Sequence, residues 1–580
     1  MIKQLAKSIR EYKRPAIITL ILMVLEVAIE VTIPFITSNL INNIKAGIEM
    51  SSLVKAGLLL VGLACLSLCC GATGGYTCSK ASAGFAKNLR HDMYEKIQSF
   101  SFREIDKFSS ASLVTRMTTD VNNVQFAYMM AIRMAVRSPL MFIFAVIMAF
   151  AMGGKLAASF IVVIPVMFFG LIMIARKAMP AFHAVFKKYD KLNESIEENV
   201  RAMRVVKGFA REEYEKKKFT AASENICKDF TYAERLVAFN QPLMQICLYF
   251  NMVFILLVGS RLIVSSKGAT IDVGQISGML TYGFMILMSL MMLTAVYVMI
   301  TVSVESAKRV CEVLSEESTL VNPANPVFEV KDGSVDFNDV SFKYSAQAQR
   351  ESLSDVDLHI ASGMTVGILG GTGSGKTTLI QLISRLYDAT EGSVKVGGRD
   401  VREYDLDTLR SAVSVVLQKN LLFSGTIREN LRWGNPDATD EELTEACKLA
   451  QIDEFIRVLP NGYDTYIEQG GTNVSGGQRQ RLCIARALLK HPAVLVLDDS
   501  TSAVDTHTDA MIREGFRKFI PETTKIIIAQ RVASVKDADL ILIMENGRIA
   551  EMGSHEQLMA SSHIYREIYE QQTKGGADDE

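Results

Sequence analysis

Charge of one sign is what this sequence lacks. Its 580 residues carry 62 Lys and Arg against 63 Asp and Glu. That balance gives no general electrostatic case for nucleic acid as a partner. Metal-site spacing is also missing. The nine cysteines are scattered, and no pair sits with a matching His or Cys. Cys65, Cys69, Cys70 and Cys247 lie in apolar runs and Cys483 in a helical segment, as packed, reduced thiols of a membrane or cytosolic protein would. A cleavable signal is absent from the first residues. "MIKQLAKSIREYKRPA" is too charged, and the apolar run behind it is too long. Ile2, Leu5 and Ile9 recur there at helical spacing between Lys3, Lys7 and Arg10, which predicts an amphipathic helix on the cytoplasmic face of a membrane.

What is abundant is apolar sequence, concentrated before about residue 310. Six runs are long enough to span a bilayer: 16–37, 53–77, 129–151, 157–177, 241–264 and 274–300. Arg133 and Arg137 interrupt the start of the third. The first, third and fifth connections are short and poor in positive charge. The second carries Lys80, Lys87, Arg90, Lys96, Arg103, Lys107 and Arg116, and the fourth Lys187, Lys188, Arg201, Arg204, Lys207 and Arg211. The positive-inside bias places both basic loops, and both termini, in the cytoplasm. Their helical periodicity predicts that the spans continue below the membrane as stalks. After the proline-marked "STLVNPANPVFEV" the pattern changes to strands, glycine turns and shorter helices, the signature of a soluble α/β domain. The expected division is a membrane domain over 1–322, a linker over 323–327, an α/β domain over 328–572 and a disordered tail over 573–580.

The second part carries the chemistry. In "TVGILGGTGSGKTTLI" a strand, Thr365–Leu369, feeds a glycine-rich loop and a helix starts at the Lys. Gly370, Gly371, Thr372, Gly373, Ser374, Gly375, Lys376 and Thr377 fit G-x-x-x-x-G-K-T, with Thr378 next. Such a loop wraps phosphates with backbone N–H groups, and a helix N-terminus adds a favourable dipole. Lys376 is placed to reach the β- and γ-phosphates of ATP and Thr377 to ligate Mg²⁺. "AVLVLDD" reads as a buried parallel strand with Asp498 at its carboxyl end, facing the same ion. Between them, in "NVSGGQRQRLCIARAL", Ser475, Gly476, Gly477 and Gln478 open an Arg-rich helix able to offer a hydroxyl and N–H groups to an anion. A plain loop-to-helix turn is the alternative, although it leaves the Gln-Arg-Gln-Arg run without a reason.

"VSGGQRQR", after the phosphate loop and before "LVLDD", resembles the signature sequence of ATP-binding cassette (ABC) proteins. Six spans fused to one C-terminal cassette look like a half-transporter of the ABC exporter family, over nearly the whole chain. The resemblance implies a multi-domain membrane protein: an all-α six-helix transmembrane domain with an N-terminal elbow helix, then an α/β P-loop NTPase domain. It also implies a multi-pass protein of the bacterial plasma membrane with a cytoplasmic cassette. "FSSASLVTRMTTDVNNV" and "RVVKGFAREEYEKKKF" look like the two loops with coupling helices, with Ala111 where Gly is usual. By position, Tyr344 is similar to the aromatic that stacks on adenine. Gln418 resembles the Gln that senses Mg²⁺, Asp505 the loop acid that communicates across the dimer, and Glu468 and Gln469 the acidic loop facing coupling helices.

Two positions depart from the pattern. In the family a Glu after the Asp of "LDD" polarises the attacking water, and a His in a later loop contacts the γ-phosphate. Here they are Asp499 and Gln530. Asp withdraws the carboxylate by about 1.5 Å, and a misplacement of about 1 Å costs on the order of 100-fold in rate. Gln bonds a phosphate but carries no charge. The resemblance then implies the degenerate half of a heterodimeric multidrug-type exporter. Its own site binds ATP and hydrolyses it slowly, and its intact signature serves a second half-transporter subunit. A homodimeric lipid or peptide exporter and a regulatory ATP-gated subunit are the alternatives. The expected substrate is an amphipathic small molecule. Glu26 and Glu30 lie four apart in the first span, on one helical face, and either attract a cationic substrate or pair with Arg133 or Arg137. The Met-rich last span suits promiscuous apolar ligands or ordinary packing. The absence of a peptidase segment before the spans argues against a leader-cleaving peptide exporter.

Overall fold

The computed structural model describes residues 1–47, 49–266, 271–345, 348–499 and 504–574. By internal contacts the chain falls into two units, Met1–Gln98 with Ser109–Glu316, and Ser99–Phe108 with Glu317–Glu580. Residues 575–580, most of the expected tail, lie outside the described residues.

The first unit is helical. Its elements are α1 (Ile2–Lys7), α2 (Lys13–Lys45), α3 (Met50–Gln98), then, after α4 (Phe102–Phe108) of the second unit, α5 (Ser110–Thr115) and α6 (Val121–Gly153). They are followed by α7 (Ala158–Arg201), α8 (Met203–Gly208), α9 (Glu212–Ala238), α10 (Asn240–Ser266) and α11 (Val273–Ser315). Among the described residues six helical stretches, of 36 to 55 residues, are long and apolar enough to cross a membrane. At 1.5 Å per residue they reach about 54–83 Å, against a hydrocarbon core of roughly 30 Å. The stalks expected from the basic loops are therefore present as continuations of the spans.

The N-terminal helix is shorter than its periodicity suggests. It ends at Lys7, and Arg10 takes a positive φ of 42°. The reason is a polar anchor on α3. Asp92 accepts hydrogen bonds from Ser8 Oγ at 2.6 Å and Arg10 Nη2 at 2.5 Å, and Asn88 Nδ2 donates to the Ser8 carbonyl at 3.1 Å. These contacts turn the chain where a longer helix would have carried Ile9 onward.

The bundle buries Val27, Val31, Phe160, Met279, Tyr282 and Ile286 in one cluster. Several of its buried polar groups are paired, as a low-dielectric interior favours. Tyr282 donates to the Val31 carbonyl at 2.6 Å, and Ser159 to Asn251 Oδ1 at 2.9 Å. Buried Asp120 accepts from Arg309 Nε at 2.7 Å.

The second unit alternates strands and helices. In order they are β1 (Val335–Phe342), β2 (Leu353–Ile360), β3 (Thr365–Gly370), α12 (Lys376–Ile383), β4 (Glu391–Val396), β5 (Arg399–Asp400), α13 (Leu406–Ala412), β6 (Val413–Val416) and β7 (Gly425–Thr426). Then come α14 (Ile427–Arg432), α15 (Asp440–Leu449), α16 (Asp453–Val458), β8 (Tyr466–Ile467), α17 (Gly476–Leu488), β9 (Val494–Asp498), α18 (Thr506–Phe519) and β10 (Thr524–Ile528). The last are β11 (Leu540–Glu545), β12 (Arg548–Gly553), α19 (His555–Ser561) and α20 (His563–Lys574). The main sheet has the order β12-β11-β3-β10-β9-β6, parallel except for β12. β2-β1-β4-β5 form a separate antiparallel sheet.

The continuous apolar run of β9 follows from burial on both faces. Leu495 and Leu497 enter one core with α15, α17 and α18, whereas Val494 and Val496 enter another with β1, β2 and α12. β10 divides the same way, Ile527 to the first core and Ile526 and Ile528 to the second. Residues 317–327 are tied to this unit: Asn322 Nδ2 donates to Asp405 Oδ1 at 2.5 Å, and Val327 pairs with Tyr404.

At the start of α11, α2 comes close. Gly274 N donates to Asn42 Oδ1 at 2.9 Å, and a Cβ on Gly274 would lie 2.0 Å from the Ser38 carbonyl oxygen. Gly274→Val should destabilise the bundle by about 1–3 kcal/mol, the usual cost of overpacking. Thermal unfolding of the detergent-solubilised protein should show a lowered Tm. An unchanged Tm would mean that the two helices do not meet there.

Candidate functional site

The phosphate loop begins where β3 ends and closes at the first residue of α12. Gly375, the residue before the helix, has φ +99°, and a Cβ there would lie 2.8 Å from the Ser352 carbonyl oxygen. Only glycine fits that bend. On its outer side the loop is open: Gly371, Thr372 and Gly373 are exposed, and a Cβ on Gly371 or Gly373 would meet nothing within 4 Å. The first-turn N–H groups of α12 have no intrahelical acceptor, which leaves them for an anion. Lys376 Nζ folds over the loop, donating to the carbonyls of Gly370 at 2.8 Å and Gly371 at 2.7 Å and to Ser374 Oγ at 3.3 Å. Burial pushes its amine below the ordinary value, against the opposing pull of Asp498 and Asp499.

Asp498 closes β9 and is buried. Thr377 donates to its Oδ2 at 3.1 Å, so a hydroxyl and a carboxylate stand together, an oxygen donor set suited to a hard cation. Burial raises the Asp498 carboxyl, and the charge of Asp499 adds to the rise; Thr377 and Lys376 oppose it. Asp499 takes φ 49°, a left-handed conformation that Asp tolerates better than most residues, and its N–H bonds the Ile528 carbonyl at 3.0 Å. Its Oδ2 accepts from Gln530 Nε2 at 2.9 Å, with Gln418 Nε2 at 3.5 Å, the limit of hydrogen-bond reach. Burial raises the Asp499 carboxyl as well, and both glutamines oppose the shift. Thus the two departing positions touch each other.

Tyr344 lies just past β1 and shares a cavity of about 400 Å³ with Gly373 to Thr378. Its hydroxyl is 3.0 Å from Thr378 Oγ1 and donates to Gln381 Oε1 at 3.0 Å, and its ring meets Tyr387 edge-on at 5.2 Å. Arg350, Glu351, Ser352, Asn546 and Gly547 line the same cavity and were not apparent in the sequence. They lie outside the glycine-lysine pattern, and only the fold joins them: Arg350 Nη2 donates to Asn546 Oδ1 at 2.9 Å across 196 residues.

Ser475 to Gln478 form a second group. Ser475 caps α17, accepting from Gln478 N at 3.2 Å while its own N–H donates to Gln478 Oε1 at 2.8 Å. Ser475 and Gly476 are exposed. Asp505 caps α18, accepting from Thr508 N at 2.9 Å, and its charge acts on Arg481 of α17. The arginines after the signature have a structural use that the sequence reading did not give them. Arg479 Nη1 donates to the Gly470 carbonyl at 3.2 Å, Arg481 to the Gln451 carbonyl, and Arg486 to the carbonyl and side chain of Asn430 at 3.0 and 2.9 Å. Glu468 follows β8 and accepts from Thr472 Oγ1 at 2.8 Å. Among the described residues no hydrogen bond joins the signature group to the phosphate loop.

Glu26 and Glu30 are engaged from α6. Arg137 Nη2 donates to both oxygens of Glu30 at 2.8 and 2.7 Å and stands 3.6 Å from Glu26 Oε1. The pairing alternative is the one seen.

Comparison with known proteins agrees with this geometry. Residues 16–304 match the family described as "ABC transporter transmembrane region", and residues 353–502 the family described as "ABC transporter". An uncharacterized ABC transporter ATP-binding protein of Bacillus subtilis, YfiB, is 36% identical over 97% of this chain and 97% of its own length. A fatty acid ABC transporter ATP-binding/permease protein of Mycobacterium bovis is 32% identical over 83% of this chain and 75% of its own. A solved bacterial Atm1-family ABC exporter with ATP bound has the same fold: TM-score 0.82, 23% identity, covering 96% of this chain and 98% of that one. The chain belongs to the ABC transporter family, with membrane-spanning region and ATP-binding domain on one polypeptide.

Proposed function

We propose that this chain is one half of a heterodimeric exporter of amphipathic small molecules. It holds ATP at a slowly hydrolysing site and lends its signature to a partner's fast one. The observation that carries the reading is the Asp499–Gln530 contact at 2.9 Å beside a complete phosphate loop. A neutral amide is bonded to the short carboxylate in the place where a charged switch and a longer base would do the chemistry. Thr377 and Asp498, with Gln418, would hold Mg²⁺, which when bound neutralises charge on the β- and γ-phosphates. Lys376 and the loop N–H groups would bind those phosphates, and Tyr344 would stack on adenine.

Two surfaces support a partner. Ser475 and Gly476 are exposed and unconnected to this chain's own loop. Between α7 and α9 an apolar cleft of about 760 Å³ is lined by Leu192, Ile196, Val200, Phe219, Ala222 and Ile226. An open apolar surface of that kind suits a second subunit's helices. The relative named for fatty acid transport supports an amphipathic cargo.

The direct test is to tag the chain, extract it from its native membrane and weigh what accompanies it. A second, similar-sized chain at one-to-one, carrying Glu and His at the matching positions, is expected. Recovery of this chain alone would make it a homodimer with Asp499 as the working base.

Substitution kinetics give a second test. Ser475→Ala should cost only about 1 kcal/mol of cassette stability as a lost cap. Yet it should lower ATP turnover of the complex at least tenfold, more than Asp499→Ala does. If Asp499→Ala abolishes turnover and Ser475→Ala spares it, the assignment is wrong. Conversely, Asp499→Glu with Gln530→His should raise hydrolysis at this chain's own site, on the order of the 100-fold attached to a 1 Å misplacement. Single-turnover measurement with the partner's site inactivated reads it directly.

A further inference from the structure

The last helix reaches back to the nucleotide site. α20 is fixed along one face by the cassette core. Tyr565 is fully buried, its hydroxyl stands 2.7 Å from His555 Nδ1, and Ile564, Ile568 and Tyr569 pack against the cluster that holds Val532 and Val535. Gln572 lies about two turns beyond Tyr565 and so comes up on the same face. Its side-chain amide meets the backbone on both sides of Arg531. Nε2 donates to the Gln530 carbonyl at 2.9 Å, and Oε1 accepts from the Val532 N–H at 2.8 Å. One planar amide, with a donor and an acceptor, thus clasps the loop from 40 residues away.

The clasp falls where the sheet stops holding the chain. Ile528 is paired with β3 and β9, and Ala529 N donates to the Ile368 carbonyl at 3.3 Å. Gln530 is exposed, one residue past that support. Its own amide bonds Asp499 at 2.9 Å, and the charge of Asp499 acts on Lys376 of the phosphate loop. Gln572, Gln530 and Asp499 therefore form a continuous path from α20 to the phosphate loop. Were the Gln530 backbone to drift, Asp499 would lose this bond. A less restrained carboxylate beside bound phosphates would repel them. Gln572 itself is exposed, so replacing it leaves no cavity in the core.

We propose that Gln572 is a positioning residue of the nucleotide site. It holds the Gln530 backbone so that the Gln530 amide stays on Asp499, and ATP is retained longer for it. The inference deepens the reading of this site as one that holds ATP, and rests on it for retention as the property affected.

The complex is purified from its native membrane as wild type, Gln572→Leu, Gln572→Glu, Gln530→Ala, and Gln530→Ala combined with Gln572→Leu. Release of labelled azido-ATP is followed by photo-crosslinking at intervals after a chase with unlabelled ATP, and the label on this chain is read on a gel. Gln572→Leu should speed release about fivefold, the size attached to one lost hydrogen bond. Gln572→Glu keeps the side chain's size and its bond from the Val532 N–H, but sets a carboxylate against the Gln530 carbonyl; it should speed release as well. In the Gln530→Ala background, Gln572→Leu should add nothing, because its route lies through Gln530. Thermal unfolding shows which variants are folded, and Gln572→Glu serves where Gln572→Leu is not. Unchanged or slower release in a folded Gln572 variant overturns the proposal. So do effects that add in the double variant, which would reduce Gln572 to packing of α20. Single-turnover hydrolysis at this chain's site separates the two readings. Fast hydrolysis there, with the non-additive pattern, ends the slow-site reading and leaves Gln572 in its role. Slow hydrolysis, with release indifferent to Gln572, does the reverse.

Discussion

The parallel pairing of β3, β10 and β9 is the constraint on which the nucleotide site depends. Ile528 of β10 stands level with Ile368 of β3 on one side and with Asp498 of β9 on the other. That register brings three carboxyl ends to one edge of the sheet, where ligands of open α/β sheets bind. The phosphate loop leaves from β3, the two aspartates from β9 and Gln530 from just beyond β10. A slip of one residue in any strand would turn its side chains to the opposite face and separate these groups. Alternating burial guards against such a slip, because each strand feeds two different cores.

How much of this was legible in the sequence depended on whether a site is contiguous. The phosphate loop is one strand, one turn and one helix in succession, so its spacing carried its structure. Asp498 could be placed because a continuous apolar run ending in acid has few other uses. The Asp499–Gln530 bond could not be placed, because it joins residues 31 apart through strand register alone. Arg350 and Asn546 were invisible for the same reason. The arginines of α17 show the reverse failure. Their density beside a helix start suggested anion chemistry, yet Arg479, Arg481 and Arg486 spend donors on backbone carbonyls of neighbouring loops. A basic run reports many donors; it does not report what accepts from them.

The membrane unit obeys the same logic at lower dielectric. Six spans were evident from apolar length, but the meaning of the charges inside them was not. Glu26 and Glu30 share a helical face, and on that basis alone they invite a cation. Once α6 is packed beside α2, Arg137 bridges both acids and the charge of Arg133 also acts on Glu26, so the cluster is balanced from within. Gly71 on α3 gives the acids room, since a Cβ there would stand 3.2 Å from Glu26 Oε1.

The contact between Asp499 and Gln530 also bears on why the two departures occur together. A Glu in place of Asp499 would carry its carboxylate about 1.5 Å further from the bend where Asp499 now meets Gln530. A His in place of Gln530 would add a titrating ring beside a carboxyl that burial already raises, so its charge would depend on that neighbour. Gln removes the titration and bonds the shorter acid through a neutral amide. Each substitution makes the other less disruptive. The 2.9 Å bond from Gln530 holds the Asp499 carboxylate to the protein without adding a charge.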